Sequence, residues 1–248
     1  MTVLSDGNAT SVRTSTSRPT RSLRQRTSVA AAIAYLLAAI CSVLSVALAA
    51  NGRLPLDLTE VIGFVTGAWT VWLTVRENIW NWPIGIVNNV AFGILFVHTG
   101  LYADASLQGV YLVISAFGWY WWLHGGSAGS RLVIAHIAKR QWPLMVLATA
   151  ATTVFMTVVL RAIHDTAPFL DALTTALSLL AQYMLTRKYI ENWWVWMSAD
   201  VIYVGLYASK GLGLTAVLYG GFFGLCVVGL RAWRRSNTAL VSTGTPHA

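Results

Sequence analysis

Eight apolar segments, each about as long as a lipid bilayer is thick, occupy most of this 248-residue chain. A transmembrane helix needs roughly 20 predominantly apolar residues. Charged residues make up 10% of the chain, whereas soluble domains carry about 25%. The sequence therefore predicts an all-α polytopic membrane protein with eight transmembrane helices, at residues 28–50, 58–75, 80–99, 105–123, 142–160, 168–186, 191–209 and 212–231.

Basic residues are distributed unevenly between the segments that connect these helices. If the N-terminus is cytoplasmic, 14 of the 17 Lys and Arg residues lie on the cytoplasmic side, and only Arg53, Arg161 and Lys210 lie outside. The positive-inside rule relates such a skew to orientation. We therefore expect a multi-pass protein of the inner (plasma) membrane with both termini cytoplasmic. The net charge of +8 reports this topology and does not indicate a nucleic-acid-binding face.

The two ends of the chain are predicted to be tails. Residues 1–26 are rich in Ser, Thr and Arg, which is typical of a disordered basic cytoplasmic tail, and 236–248 form a second cytoplasmic tail. The membrane domain lies between them, at 27–235. Ala47-Leu48-Ala49 resembles a signal-peptidase site, but the preceding apolar run is too long for a typical signal peptide, so a retained N-terminal anchor helix is favoured. Cleavage would leave seven spans with the same orientation.

An internal repeat relates the segments that follow the anchor. A shift of 111 residues aligns residues 76–82 (Arg-x-x-Ile-x-Asn-Trp) with residues 187–193, and 13 of the 47 positions from 76 to 122 are identical without a gap. Repeat 1 covers 58–123 and repeat 2 covers 168–233. The single linker helix at 142–160 gives both copies the same orientation. The sequence thus predicts a 3+1+3 core of parallel repeats, a transporter architecture with its site between the repeats.

Polar and aromatic residues share one face of the seventh segment. Five of them recur at helical spacing: Trp193, Trp196, Asp200, Tyr203 and Tyr207. A lone Asp at the centre of a bilayer costs about 2.5–3.5 kcal/mol, so Asp200 is expected to face protein or water. Its repeat mate is Asn89. The other candidate substrate-binding residues are Trp82, Asn88, Gln108, Tyr111 and Tyr219.

The predicted site is an aromatic cleft with one carboxylate and a few amides. Aromatic faces stack on flat rings and attract cations, so the cleft suits a flat, cationic small molecule with polar substituents. Two structural interpretations stay open: Trp and Tyr near span ends also fit an interfacial belt, and Asn88, Asn89 and Gln108 also fit interhelical hydrogen bonds. The histidines lack metal-ligand spacing and there is no phosphate-binding GxxxxGK[ST] loop. We therefore predict no catalytic residue, metal or cofactor. A membrane enzyme or a non-transporting receptor is the alternative from another functional class.

Four stretches of the chain carry a resemblance to a known family. They are Asn-Trp-Pro-Ile-Gly at 81–85, Leu-Tyr-Ala-Asp at 101–104, Gly-Trp-Tyr at 118–120 and Thr-Arg-Lys-Tyr-Ile-Glu-Asn-Trp-x-x-Trp at 186–196. Together they resemble the Pnu family of vitamin transporters, and the resemblance extends from about residue 58 to 235.

The resemblance implies a function and a mechanism. The best-known members, the PnuC transporters, take up nicotinamide riboside. Their 3+1+3 core is related to the SWEET facilitators; they assemble as homotrimers and rely on a cytoplasmic kinase to trap the product. Relatives carry thiamine or riboflavin. The family pattern places Asn89, Trp193, Trp196 and Asp200 against the substrate. We therefore expect facilitated diffusion of nicotinamide riboside, with thiamine, less readily riboflavin, and proton coupling as alternatives. In the enterobacterial type, Asn is expected in place of Asp200, which leaves the vitamin open.

Overall fold

The computed structural model describes residues 21–53, 58–98, 100, 102–164, 167–209, 211 and 213–242. Within these ranges the chain forms eight α-helices and no β-strand, apart from one isolated bridge between Ala135 and Tyr189. The all-α prediction is confirmed. The helices are α1 (Arg21–Ala50), α2 (Leu58–Val75), α3 (Asn81–His98), α4 (Tyr102–His124), α5 (Trp142–Ala162), α6 (Pro168–Thr186), α7 (Asn192–Ser209) and α8 (Gly213–Ser242).

Two helices extend into segments predicted to be tails. Helix α1 begins at Arg21, inside the predicted 1–26 tail, and α8 continues to Ser242, inside the predicted 236–248 tail. The reason lies in the sequence: neither extension contains Gly or Pro, so nothing stops the helix at the membrane surface. Residues 1–20 and 243–248, where the rest of both predicted tails falls, lie outside the described residues.

Helix α1 belongs to a separate unit, residues 1–53, from the core unit, residues 54–248. Its side chains from Leu36 to Leu44 expose large apolar groups. The hydroxyl of Ser42 donates to the carbonyl of Ala38 at 2.8 Å, so this polar group is satisfied within the helix. Gly52 ends the helix with φ +63, the left-handed conformation that glycine adopts without strain.

The core unit is built from two sets of three consecutive helices. Helix α3 packs against α2 and α4, and α7 packs against α6 and α8. The sets meet directly, through α4 against α6 and α2 against α8. Helix α5 packs against α6. The linker therefore lies beside the second set, and contacts across the middle of the core are made by the repeats themselves.

The outside of the core is apolar and its interior holds small and polar residues. Val87, Phe155 and Val217 are half or more exposed, whereas Ala172 and Ala181 are fully buried. Lipid-facing exteriors and small-residue interfaces are typical of membrane bundles. By length and mean hydropathy, two helical segments of the described chain qualify as spans: Lys139–Ala162 (2.0) and Pro168–Thr186 (1.2). The count of eight spans stays a prediction.

Tryptophan contacts recur in both sets of helices at the 111-residue spacing. Trp82 meets Trp122 edge-on, with ring centroids 5.4 Å apart and an interplanar angle of 88°; Trp193 meets Trp233 at 5.4 Å and 87°. The first ring of each pair lies directly over a glycine of the helix opposite, Trp82 over Gly118 and Trp193 over Gly229. A Cβ at either glycine would collide with the ring, so only glycine allows this packing.

The second tryptophan of each pair joins the two sets. The Trp122 Nε1–H donates to the carbonyl of Leu185 in α6 at 3.0 Å, and the Trp233 Nε1–H donates to the carbonyl of Thr74 in α2 at 3.0 Å. Leu185 and Thr74 are themselves 111 residues apart. Each set of helices thus holds the other by an equivalent hydrogen bond.

An ion pair joins the ends of α2 and α6. The Lys188 Nζ lies 3.1 Å from the Glu77 Oε2, and the two residues are 111 positions apart. Both adopt positive φ, 53° and 52°, where each helix ends. The Lys188 ammonium also lies 4.5 Å from the centroid of the Trp122 ring. Since equivalent helix ends meet here, the α2–α3 and α6–α7 turns lie at the same end of the core.

The segment after α4 covers this end. Ala135 exchanges backbone hydrogen bonds with Lys188 and Ile190, and Ile134 is 1% exposed among the tryptophans. The His136 Nδ1 lies 2.8 Å from a carboxylate oxygen of Glu191. The core is therefore closed at the Glu77–Lys188 end by packed side chains and by the segment around Ala135.

Candidate substrate-binding cavity

A cavity of about 390 Å³ lies between the two sets of helices. Its volume falls in the range of sites for small organic ligands, roughly 300–1,000 Å³. Helices α2, α3 and α4 line it from one side and α6, α7 and α8 from the other. Ten of the eleven predicted substrate-binding residues line it: Trp82, Asn88, Asn89, Gln108, Tyr111, Trp193, Trp196, Asp200, Tyr203 and Tyr219.

The predicted stripe of α7 forms one wall. Trp193, Trp196, Asp200 and Tyr203 face the cavity because their spacing keeps them on one side of the helix. Trp193 and Tyr203 are ten residues apart, so at a rise of 1.5 Å per residue this wall is about 15 Å long. Tyr207 belongs to the same stripe but is not among the lining residues.

Tyr207 instead joins an aromatic stack at the far end of the wall. Its ring lies 5.3 Å from Tyr219 at an interplanar angle of 11°, and Tyr219 lies 4.5 Å from Tyr203. The helical stripe runs one turn beyond the end of the cavity, so its last member packs on the rings of Tyr203 and Tyr219 at that end.

Asp200 is 5% exposed, and no Lys, Arg or His among the described residues forms an ion pair with it. The Cys226 thiol lies 3.6 Å from its Oδ2 and donates to it. The described lining contains no Lys, Arg or His, and Asp200 is its only carboxylate. The cavity is therefore electrostatically suited to a cation.

The equivalent pair in the first set is neutral. The Asn89 Nδ2 donates to the Ser115 hydroxyl at 3.3 Å, and these residues are the repeat mates of Asp200 and Cys226. Asn88 donates to the carbonyl of Gly63 and to the hydroxyl of Thr66, so its amide nitrogen serves helix packing. Asn88 and Asn89 therefore both make interhelical hydrogen bonds, as the structural interpretation expected, and both also line the cavity.

The Glu77–Lys188 end of the cavity holds two Asn-Trp pairs. Asn81 and Trp82 open α3, Asn192 and Trp193 open α7, and all four line the cavity at 0–2% exposure. We call these four residues the polar floor. The sequence prediction included the tryptophans and missed the asparagines, although the repeated Asn-Trp dipeptide was the available signal.

Further polar lining residues were also missed. Thr70, Thr74, Ser178 and Gln182 line the cavity from α2 and α6. The two threonines donate to carbonyls four residues earlier, so they carry no unsatisfied hydroxyl proton. Gln182 is a single amide within a span, the same signal that identified Gln108. The Tyr111 side chain hydrogen-bonds Ser178 across the two sets.

No group of three or more His, Cys, Asp or Glu side chains in the described ranges could hold a metal ion. The chemistry available in the cavity is therefore stacking, hydrogen bonding and one negative charge. Groups of these kinds can bind and orient a small molecule.

Comparison with known proteins assigns the family. The model of the nicotinamide mononucleotide transporter family matches residues 57–235. The chain is 27% identical over 215 residues to the nicotinamide riboside transporter PnuC of Escherichia coli K12, covering 75% of this chain and 88% of that protein. It is 26% identical over 196 residues to the riboflavin/roseoflavin transporter RibM of Streptomyces davaonensis, covering 76% and 91%.

A solved structure shares the fold. The crystal structure of the vitamin B3 transporter PnuC superimposes with a TM-score of 0.58 at 22% identity, covering 86% of this chain and 93% of that one. The family and this neighbour are transporters and not enzymes. The chain therefore belongs to the nicotinamide mononucleotide transporter family of multi-pass inner-membrane vitamin transporters.

Proposed function

We propose that this protein carries nicotinamide riboside into the cell by facilitated diffusion. The observation that carries the proposal is Asp200: a buried carboxylate without a basic partner, in an aromatic cavity whose described lining has no other charged side chain. Nicotinamide riboside presents a flat pyridinium cation. Trp196 supplies an aromatic face for the ring and Asp200 the opposite charge.

The lining favours a nucleoside over a nucleotide. A phosphate group needs Arg, Lys or several backbone N–H donors, and no Lys or Arg lines the cavity within the described ranges. A mononucleotide would bring its negative phosphate into a cavity that already holds Asp200. We therefore propose the riboside as substrate, although the family takes its name from the mononucleotide.

Riboflavin is the second candidate. The similarity to the Streptomyces riboflavin/roseoflavin transporter nearly equals that to the E. coli nicotinamide riboside transporter, 26% against 27% identity. Its flat ring suits Trp196 and the tyrosine stack, but it is neutral and leaves Asp200 without a counter-charge. Thiamine is cationic and is the third candidate, since the two relatives above are named for nicotinamide riboside and for riboflavin/roseoflavin.

The proposal includes an assembly and an orientation. The recurring contacts at 111-residue spacing, and the meeting of Glu77 with Lys188, support parallel repeats related by a two-fold axis along the membrane normal. By the positive-inside rule the Glu77–Lys188 end is cytoplasmic, so the closed end faces the cell interior. We further propose that the protein is a homotrimer, as the family resemblance implies, and that a cytoplasmic kinase traps the product.

Uptake by purified protein in liposomes tests the function. Labelled nicotinamide riboside is expected to enter with saturation and to show counterflow when unlabelled riboside is loaded inside. A parallel binding titration with nicotinamide riboside, riboflavin and thiamine ranks the candidates. The proposal fails if the riboside neither binds nor enters. Binding without flux would instead identify a receptor.

A further inference from the structure

The polar floor contains four buried polar atoms without a hydrogen-bond partner. They are the Oδ1 of Asn81, the Nε1–H of Trp82, the Oδ1 of Asn192 and the Nε1–H of Trp193. Buried polar atoms are almost always paired, and leaving one unpaired is costly. All four belong to residues that line the cavity, which points to a ligand that completes them.

The orientation of each asparagine is fixed by its other amide atom. The Asn81 Nδ2 donates to the Thr74 hydroxyl at 3.1 Å, and the Asn192 Nδ2 donates to the carbonyl of Tyr189 at 2.6 Å. Since both nitrogens already have partners, each Oδ1 is left as a free acceptor.

The indoles are fixed as well. The six-membered ring of Trp82 lies against Gly118 and that of Trp193 against Gly229. The ring edge that carries Nε1 therefore has a set position. The floor thus carries two donors and two acceptors, one of each from each repeat.

Two hydroxyl groups match this set. A hydroxyl can accept one hydrogen bond while it donates another, so each would accept from a tryptophan N–H and donate to an asparagine oxygen. The repeat makes the two halves of the floor equivalent, so each half should receive the same kind of group. Two hydroxyls meet this condition. A carboxamide does not, because its oxygen only accepts and its nitrogen only donates. We propose that the polar floor binds a vicinal diol of the transported molecule, an inference that rests on the proposed vitamin-transport function.

The four atoms are shielded from water in this structure, so the diol must press into the floor to reach them. Trp82 and Trp193 pack edge-on against Trp122 and Trp233, which close that end of the core. Displacement of the floor by a substrate therefore acts on the same tryptophan layer that separates the cavity from the Glu77–Lys188 end.

This subsite defines a substrate class. Ribosides and ribityl compounds carry vicinal hydroxyls, whereas thiamine has a single hydroxyl on a flexible arm. The floor thus selects vitamins with a hydroxylated five-carbon unit, and Asp200 with Trp196 selects the ring.

The ligand itself supplies the first test. Binding of nicotinamide riboside and of its 2′,3′-dideoxy analogue to the wild-type protein in lipid nanodiscs is measured by titration. Loss of the diol is expected to weaken binding about 10-fold or more, because the buried donors and acceptors stay unpaired. Riboflavin and lumiflavin, the same ring without the ribityl chain, provide a second pair.

Variants supply the second test. Trp82→Phe and Trp193→Phe each remove one N–H and keep an aromatic ring, and each is expected to weaken binding of the riboside by about 3- to 10-fold. The affinity for the dideoxy analogue is expected to stay unchanged. Trp194→Phe is the matched control, since Trp194 is 52% exposed and does not line the cavity.

The outcomes separate this inference from the proposed function. If the dideoxy analogue binds wild type as tightly as the riboside, or if both substitutions weaken the two ligands equally, the diol subsite is refuted while riboside transport stands. If riboflavin binds with a ribityl dependence and the riboside does not bind, the subsite stands and the proposed substrate is wrong. If no vitamin binds, both are refuted.

Discussion

Replacement of Asp200 by Asn removes the only carboxylate of the described cavity lining and keeps the shape of the side chain. Two opposite charges about 4 Å apart at an effective dielectric near 20 attract each other by roughly 4 kcal/mol. Asp200 is 5% exposed, so the cost of desolvating its carboxylate offsets much of this attraction. The expected net loss of binding free energy is about 1–2 kcal/mol, which corresponds to roughly a 5- to 30-fold loss of affinity. Binding of nicotinamide riboside or thiamine should weaken by this factor, whereas riboflavin, which is neutral, should be spared.

Titration of the purified variant with the three vitamins measures the effect. Asp104→Asn is the matched control, because Asp104 is an exposed acid outside the cavity. Lowering the pH protonates the carboxylate, so affinity for the cation should fall as pH falls in wild type and stay flat in Asp200→Asn. If the variant binds the cation normally but loses a pH dependence of uptake, Asp200 carries a proton. The protein is then a coupled transporter and the facilitator mechanism is refuted.

Gly118→Ala places a Cβ inside the Trp82 ring and should cost about 1–3 kcal/mol in a thermal-unfolding assay, whereas Gly109→Ala, with open space around it, should be neutral; equal effects would contradict the packing argument. Glu77→Lys and Lys188→Glu should each lower the melting temperature, since the pair is partly buried, and the double swap should recover only part of the loss, because Lys188 also lies over the Trp122 ring. A C-terminal reporter that is active only in the cytoplasm should give a signal, and its silence would reverse the proposed orientation.

Much of the fold follows from local sequence. Helices α2 and α6 begin and end where the apolar pattern predicted, because Gly, Pro or charged residues flank each span. The α7 wall of the cavity could be predicted because its residues recur at helical spacing and because a buried Asp200 must face protein or water. Tyr207 was misplaced because the stripe fixes a direction and not the depth at which the cavity ends.

The polar floor depends on contacts that local sequence does not encode. Its asparagines lie at helix starts, where polar residues are ordinary. The oxygen of each is left free because the nitrogen donates elsewhere, in Asn81 to Thr74 of α2 and in Asn192 to Tyr189 three residues earlier. The position of the Trp82 ring depends on Gly118 in a different helix. Such features arise from packing between helices and became visible only in three dimensions.

Some repeat mates are identical and others differ, and under the proposed function this allows one cavity to bind two chemically different parts of a substrate. Where mates are identical, as in the Asn-Trp pairs of the floor, the cavity offers a nearly two-fold set of groups, suited to two like hydroxyls. Where mates differ, as Asn89 and Asp200 do, the two sides present different chemistry, suited to a ring with one charge. Under the proposed function, we therefore expect substitutions at mid-helix positions such as Asn89 and Asp200 to change the preferred vitamin while the frame and the floor are kept.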